Sequence, residues 1–138
     1  MSNQRKFHLA LHVSDAKVSS LFYEKLFGEE PVKNEKGYTK FELENPGLVI
    51  SIIESKEKVH KNFGHLGFRV ESEAELTDAK NRLSNQLSIS LEEENVACCF
   101  ARQNKFWVND PDGYEWEVYQ FLEDVKKNDP QYSSVSCC

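Results

Sequence analysis

The sequence predicts an α+β fold built from two tandem βαβββ modules, spanning about residues 6–54 and 63–121. Three observations carry this expectation. A short strand pattern occurs twice, as His8-Leu9-Ala10-Leu11-His12-Val13 and as His65-Leu66-Gly67-Phe68-Arg69-Val70. Each copy is followed by a segment of helical periodicity. Each then leads into a hairpin, and the hairpins themselves correspond. Phe41-Glu42-Leu43-Glu44-Asn45-Pro46-Gly47 aligns with Phe106-Trp107-Val108-Asn109-Asp110-Pro111-Asp112-Gly113 with one residue inserted. Self-similarity of this kind marks a duplicated structural unit.

Taken in order, Phe7 to Val13 alternates Leu9, Leu11 and Val13 on one face with His8, Ala10 and His12 on the other, as a half-buried strand does. Ser14 or Asp15 can cap the next segment, where Val18, Leu21, Phe22, Leu26 and Phe27 recur at helical spacing and Gly28 stops the helix. Tyr38–Leu43 and Leu48–Ile53 read as strands joined by a turn at Asn45-Pro46-Gly47. The second module repeats the plan. Gly64–Val70 is strand-like, and Glu73–Leu83 carries a helical pattern through Leu76, Ala79, Lys80 and Leu83. A strand is expected near Leu87–Leu91. Phe106–Val108 and Trp116–Phe121 pair across Asp110-Pro111-Asp112-Gly113. Past Leu122 the chain turns polar, so one domain over residues 1–122 and a disordered tail over 123–138 are expected.

The chain has 138 residues, a length suited to one domain with a real core. A net charge of −6 argues against nucleic acid as a partner, because phosphate binding needs a basic face. No apolar run approaches a membrane span, and the first residues lack the apolar stretch of a signal peptide. A cytoplasmic protein is therefore expected, in which the four cysteines are reduced thiols rather than a disulfide framework.

The duplication directs attention to His8 and His65, which occupy equivalent strand positions. The hairpin correspondence matches Ser51 with Glu117, so a carboxylate stands where the first module has a poor ligand. His8, His65 and Glu117 thus form a two-histidine, one-carboxylate set with open coordination positions. Such a set describes a catalytic metal site and suits non-heme Fe(II), with Mn, Co, Ni or Zn as other divalent candidates. His12 shares the face of His8 and is its rival; His8 is favoured because it alone matches His65. The adjacent Cys98-Cys99 suggests a second site for a soft, thiol-seeking atom. Neighbouring side chains of a regular strand point to opposite faces, so two adjacent thiols can grip one atom only from irregular backbone. The polar flanks, Glu92-Glu93-Glu94-Asn95 and Arg102-Gln103-Asn104, predict a mobile loop there.

These residues resemble the vicinal oxygen chelate superfamily, which includes glyoxalase I, extradiol dioxygenases and the fosfomycin- and bleomycin-resistance proteins. The paired strand histidines, Leu21-Phe22-Tyr23-Glu24-Lys25-Leu26-Phe27-Gly28, and Asp110-Pro111-Asp112-Gly113 ahead of Glu117 carry the likeness over about residues 6–121. It implies a glyoxalase-like fold. The run from Cys98 to Val108, then Asp110 to Glu117, more narrowly resembles the C–As lyases of bacterial organoarsenical resistance and the related cadmium-induced proteins. That resemblance implies an Fe(II)-dependent dioxygenase that cleaves the carbon–arsenic bond of a trivalent organoarsenical with O2. Its iron would be held by His8, His65 and Glu117, with Glu117 catalytic, and its arsenic by Cys98 and Cys99. Gln103 and Lys105 lie close enough in sequence to orient substrate. Family members often pair, which makes a homodimer an expectation. Cys137-Cys138 falls outside the pattern that can be placed.

Competing activities meet specific obstacles. A glyoxalase I–type isomerase wants a fourth ligand where Ser51 stands. A fosfomycin-resistance enzyme needs a cluster of cations for its phosphonate, whereas this chain is acidic. A protein that sequesters Cd(II) or As(III) through its thiols, without turnover, is the non-enzymatic alternative.

Overall fold

The computed structural model describes residues 5–132. They form two compact units, one made of the chain up to Gly64 together with Asp110–Tyr114, the other of His65–Asn109 and the chain from Glu115 onward. Each unit carries one βαβββ module, so the α+β, glyoxalase-like fold expected from the duplication is the observed one. Among the described residues, no helix is long and apolar enough to cross a membrane.

In the first unit the order is β1 (Phe7–Val13), α1 (Ala16–Phe27), β2 (Lys33–Glu35), β3 (Tyr38–Leu43) and β4 (Leu48–Glu54). The four strands lie in the order β1-β4-β3-β2, with β1 parallel to β4 and the other pairs antiparallel. Alternation places Leu11 and Val13 of β1, Phe41 and Leu43 of β3, and Ile50 and Ile52 of β4 in the core. Asp15 starts α1 by accepting hydrogen bonds from the backbone N–H groups of Lys17 and Val18, at 3.0 and 3.1 Å, and Gly28 ends it in the left-handed conformation. The buried face of α1 is rotated from the expected stripe. Phe22, Tyr23 and Leu26 are buried, while Val18 and Leu21 are exposed. The rotation follows Tyr23, whose hydroxyl donates to Asp110 Oδ2 at 2.6 Å and satisfies its polar end inside the unit. Strand β2, Lys-Asn-Glu, is wholly exposed and has no apolar pattern to announce it.

The turn at Asp110–Tyr114 packs with this first unit. Asp110 Oδ1 accepts from the N–H groups of Asp112 and Tyr114, at 2.9 and 2.8 Å. Tyr114 donates its hydroxyl proton to the His12 carbonyl at 2.7 Å and accepts from the His60 N–H at 3.2 Å.

The second unit contains β5 (Leu66–Val70), α2 (Glu73–Ser84), β6 (Ile89–Cys98), β7 (Ala101–Asn109) and β8 (Glu115–Asp124). Its sheet has the order β5-β8-β7-β6, with β5 parallel to β8. Ser72 caps the start of α2, its hydroxyl accepting from Glu75 N–H at 3.1 Å, and the Glu75 carboxylate reaches back to accept from Glu71 N–H at 2.7 Å. Two expectations are corrected in this unit. The stretch Glu92–Asn95, read as loop, belongs to edge strand β6, where one polar face meets solvent and a bulge at Asn95 (φ 51°) absorbs the irregularity. No disordered tail begins at residue 123, since β8 runs to Asp124 and Val125, Asn128 and Asp129 hydrogen-bond to Phe100 and Ala97 around the β6–β7 turn. Cys137 and Cys138 lie outside the described residues.

Candidate functional site

The sequence duplication is legible in the strand registers. Ala10 of β1 pairs with Ser51 of β4, and Gly67 of β5 pairs with Glu117 of β8. Each partner lies two residues beyond the repeated histidine, so Ser51 and Glu117 are structural equivalents. Ser51 is buried and its hydroxyl shares a 2.9 Å hydrogen bond with Tyr38. Glu117 is different. A methyl on Gly67 would stand 2.4 Å from the Glu117 carbonyl oxygen and 2.7 Å from its Cγ, so only glycine lets β5 approach β8 this closely.

Register also selects which side chains share a face. Trp107 is opposite Glu117, Lys105 opposite Tyr119, Gln103 opposite Phe121, and Arg69 opposite Tyr119. These positions step by two along β5, β7 and β8, and so project to one side of the sheet. That face borders a cavity of about 240 Å³, which is also lined by His65 and Cys99.

His65, immediately before β5, places Nε2 at 3.3 Å from Glu117 Oε1. Its ring stands edge-on to the Trp107 indole, with centroids 4.9 Å apart at 78°. The indole N–H in turn donates to Glu93 Oε1 at 3.1 Å. On the other side of the carboxylate, Lys105 brings Nζ to 3.3 Å from Oε2, with its side chain only 4% exposed. The angles leave Glu117 Oε2 buried without a hydrogen bond, although the charge is compensated. An imidazole nitrogen beside a carboxylate with an unused lone pair is the donor chemistry a divalent metal takes. Among the described residues, no three His, Cys, Asp or Glu side chains converge as a complete ligand group. His8 stands exposed on β1 in the first unit, beside Val49.

The thiol pair occupies a different backbone from the mobile loop expected. Cys98 is the last residue of β6, and Cys99 and Phe100 alone connect it to β7. Both connecting residues have left-handed φ, 52° and 61°, which is the signature of a type I′ hairpin turn. The reversal at Cys99 removes the opposite-face problem, and the two sulfurs lie 3.9 Å apart. Cys98 is buried and disulfide-bonded, which corrects the expectation that every cysteine is a reduced thiol, while Cys99 is exposed. Gln103 lines the cavity but uses its side-chain N–H to hold the Cys98 carbonyl at 2.9 Å. Arg69 also borders the space, its guanidinium 4.7 Å from the centre of the Phe121 ring.

Gly67, Trp107 and Arg69 were not singled out from sequence. A glycine within a strand pattern is the one signal that could have pointed to a close approach at this place. Just ahead of β8, burial pushes the Asp110 carboxyl up from its ordinary range, opposed by the hydrogen bonds from Tyr23, Tyr114 and Asp112.

Residues 6–118 match the family model described as Glyoxalase/Bleomycin resistance protein/Dioxygenase superfamily. Among curated proteins, the chain is 39% identical to the trivalent organoarsenical cleaving enzyme of Bacillus sp. (strain MD1), covering 95% of this chain and 88% of that one. It is 40% identical to the enzyme of the same name from Thermomonospora curvata, over 83% of this chain and 76% of the other. The cadmium-induced protein CadI of Mycobacterium bovis is 33% identical, with coverage of 96% and 91%. Of solved structures, the glyoxalase/bleomycin resistance protein/dioxygenase from Alicyclobacillus acidocaldarius shares the fold at a TM-score of 0.71 and 15% identity, over 89% of this chain and 96% of that one.

Proposed function

The chain belongs to the glyoxalase/bleomycin resistance protein/dioxygenase superfamily, and from that premise we propose that it cleaves the carbon–arsenic bond of trivalent organoarsenicals as an Fe(II)-dependent dioxygenase. One observation carries the reading. A single cavity of about 240 Å³ is bordered both by the Cys99 end of the adjacent cysteine pair and by the His65–Glu117 pair. The organoarsenical-cleaving relatives support the same substrate class.

The residues divide the work. Reduced Cys98 and Cys99 hold As(III), a soft and thiophilic atom, with sulfurs 3.9 Å apart and so near enough for one atom to bridge. Holding arsenic by sulfur directs its organic substituent into the cavity, which turns an encounter into an oriented reaction. Tyr119 and Phe121 give that substituent an aromatic wall, and Gln103 steadies the backbone of Cys98. His65 and Glu117 would hold the metal. Fe(II), when bound, supplies the activation of O2 that C–As cleavage requires. Lys105 fixes one carboxylate oxygen of Glu117 and leaves the other directed toward His65. Because Cys98 is disulfide-bonded in this structure, capture by both thiols requires an external dithiol or phosphine reductant that first supplies the two electrons to open that bond.

The test is anaerobic reconstitution of the reduced protein with Fe(II), followed by trivalent methylarsenite and O2, with arsenic speciation of the products. Catalytic release of inorganic arsenite that requires both iron and O2 is the expected result. Stoichiometric capture of the arsenical without release would replace the enzyme with a sequestering protein.

A further inference from the structure

We propose that residues 125–129 act as a strap that holds the Cys98-Cys99-Phe100 turn in its arsenic-binding shape, with Asn128 and Asp129 as positioning residues. The inference rests on the arsenical reading of this turn. Its starting point is a local conflict between sequence and conformation. Type I′ turns favour Asn-Gly, because both central residues need positive φ. Here those places are taken by cysteine and phenylalanine, which enter the left-handed region only when their surroundings hold them there.

The surroundings are hydrogen bonds from beyond β8. Phe100 N–H donates to Asn128 Oδ1 at 2.7 Å, and the Phe100 carbonyl accepts from Val125 N–H at 2.9 Å. Asp129 grips the strand just before the thiols. Its Oδ2 accepts from Ala97 N–H at 2.9 Å, and its own N–H donates to the Ala97 carbonyl at 2.8 Å. The backbone is thereby held on both sides of the cysteine pair. The geometry matters because adjacent side chains in ordinary strand conformation diverge. With the left-handed step at Cys99 the two sulfurs lie 3.9 Å apart. Without the strap, the turn relaxes toward right-handed or extended dihedrals and the thiols separate. Two-thiol capture then fails while each thiol remains chemically competent.

The experiment uses full-length protein reduced with a phosphine and phenylarsine oxide as probe. In a background of Cys137→Ser and Cys138→Ser, binding is measured by calorimetry, and the reactivity of Cys99 by mass-spectrometric tracking of its own alkylation with iodoacetamide. Asn128→Ala and Asp129→Ala are expected to weaken the arsenical at least tenfold, with the alkylation rate changed less than twofold. Asn128→Asp and Asp129→Asn keep an acceptor oxygen and are expected to restore binding, which separates positioning from a general loss of structure. If an alanine variant fails to fold, this conservative pair decides, since tenfold weakening in both overturns the strap. Undiminished affinity in both alanine variants overturns it as well. Absence of binding by the reduced wild-type protein would instead overturn the arsenical reading, and the strap with it.

Discussion

Gly67 and Glu117 face each other across the β5–β8 ladder so closely that a methyl on Gly67 would lie 2.4 Å from the Glu117 carbonyl oxygen. Their equivalents in the first module, Ala10 and Ser51, accommodate that methyl. The two modules thus diverge as a pair of positions. Where the carboxylate appears, the side chain opposite it disappears.

The first prediction follows from that distance. Gly67→Ala must push β8 away or tilt the Glu117 stem, because backbone oxygen cannot yield as a flexible side chain can. Overpacking of this sort costs about 1–3 kcal/mol. For a domain of this size it lowers the melting temperature by roughly 3–10 °C. Divalent-metal affinity should fall with it, since the carboxylate is displaced from His65. The control is Ala10→Gly, which removes a methyl without a clash and costs about 0.5–1 kcal/mol through backbone entropy. Thermal unfolding of both variants, with Co(II) titration as the metal readout, checks the contrast.

The duplicated strands, the module order and the equivalence of Ser51 with Glu117 could be read from sequence because repetition and alternation encode them directly. The site was legible only in part. Lys105 was expected to lie close enough to orient substrate, and it does line the cavity, but a strand position could not show that its Nζ lies beside Glu117 Oε2. Cys98-Cys99 was expected in a mobile loop because opposed side chains seemed to require one. Two consecutive left-handed residues solve the same problem within a tight hairpin, and no residue preference announces them when they are cysteine and phenylalanine. The anchors at Asn128 and Asp129 were invisible because they lie in a polar stretch whose composition resembles a solvated tail.

Lys105→Met tests the charge balance of the site. The lysine side chain is 4% exposed and the Glu117 side chain 11%, so removing the ammonium leaves a buried carboxylate without its cation. Breaking one partner of such a pair costs about 3 kcal/mol. The metal-free variant should therefore unfold at distinctly lower urea than wild type. Added divalent metal should recover part of the loss, because it supplies positive charge to the same carboxylate. Urea midpoints with and without Co(II) measure both effects. An unchanged midpoint in the metal-free state would show that the ion pair contributes nothing to the fold.

The pH dependence of stability is set in part by Asp110. Burial raises its carboxyl above the ordinary value of 3.8, so the folded state holds the proton more tightly than the unfolded chain. A group of this kind contributes stability below its unfolded pKa and loses that contribution as pH rises through its folded pKa. At neutral pH its ionised form works against folding, offset by the hydrogen bonds from Tyr23, Asp112 and Tyr114. Asp110→Asn keeps an acceptor for the two backbone N–H groups and cannot ionise. Relative to wild type, the variant should be at its worst near about pH 3.5 and gain ground by about pH 7. Urea midpoints at the two pH values decide the sign, and a difference that moves the other way would mean that the hydrogen bonds outweigh burial.

The last prediction separates the two halves of the proposed site, which share one cavity but bind by different chemistry. Cys99→Ser replaces a soft thiolate with a hard hydroxyl on the same backbone, so it should weaken a trivalent arsenical by two orders of magnitude or more, about 3 kcal/mol. The His65–Glu117 pair is untouched, and iron stoichiometry should stay at the wild-type value. His65→Ala has the reverse signature. The thiols and their turn remain, so phenylarsine oxide binds as before, but a metal ligand is gone and turnover falls below detection. Arsenical affinity, bound iron and arsenite release measured on the same preparations form a double dissociation. Normal turnover in Cys99→Ser would remove arsenic anchoring from the reading while leaving the metal chemistry intact.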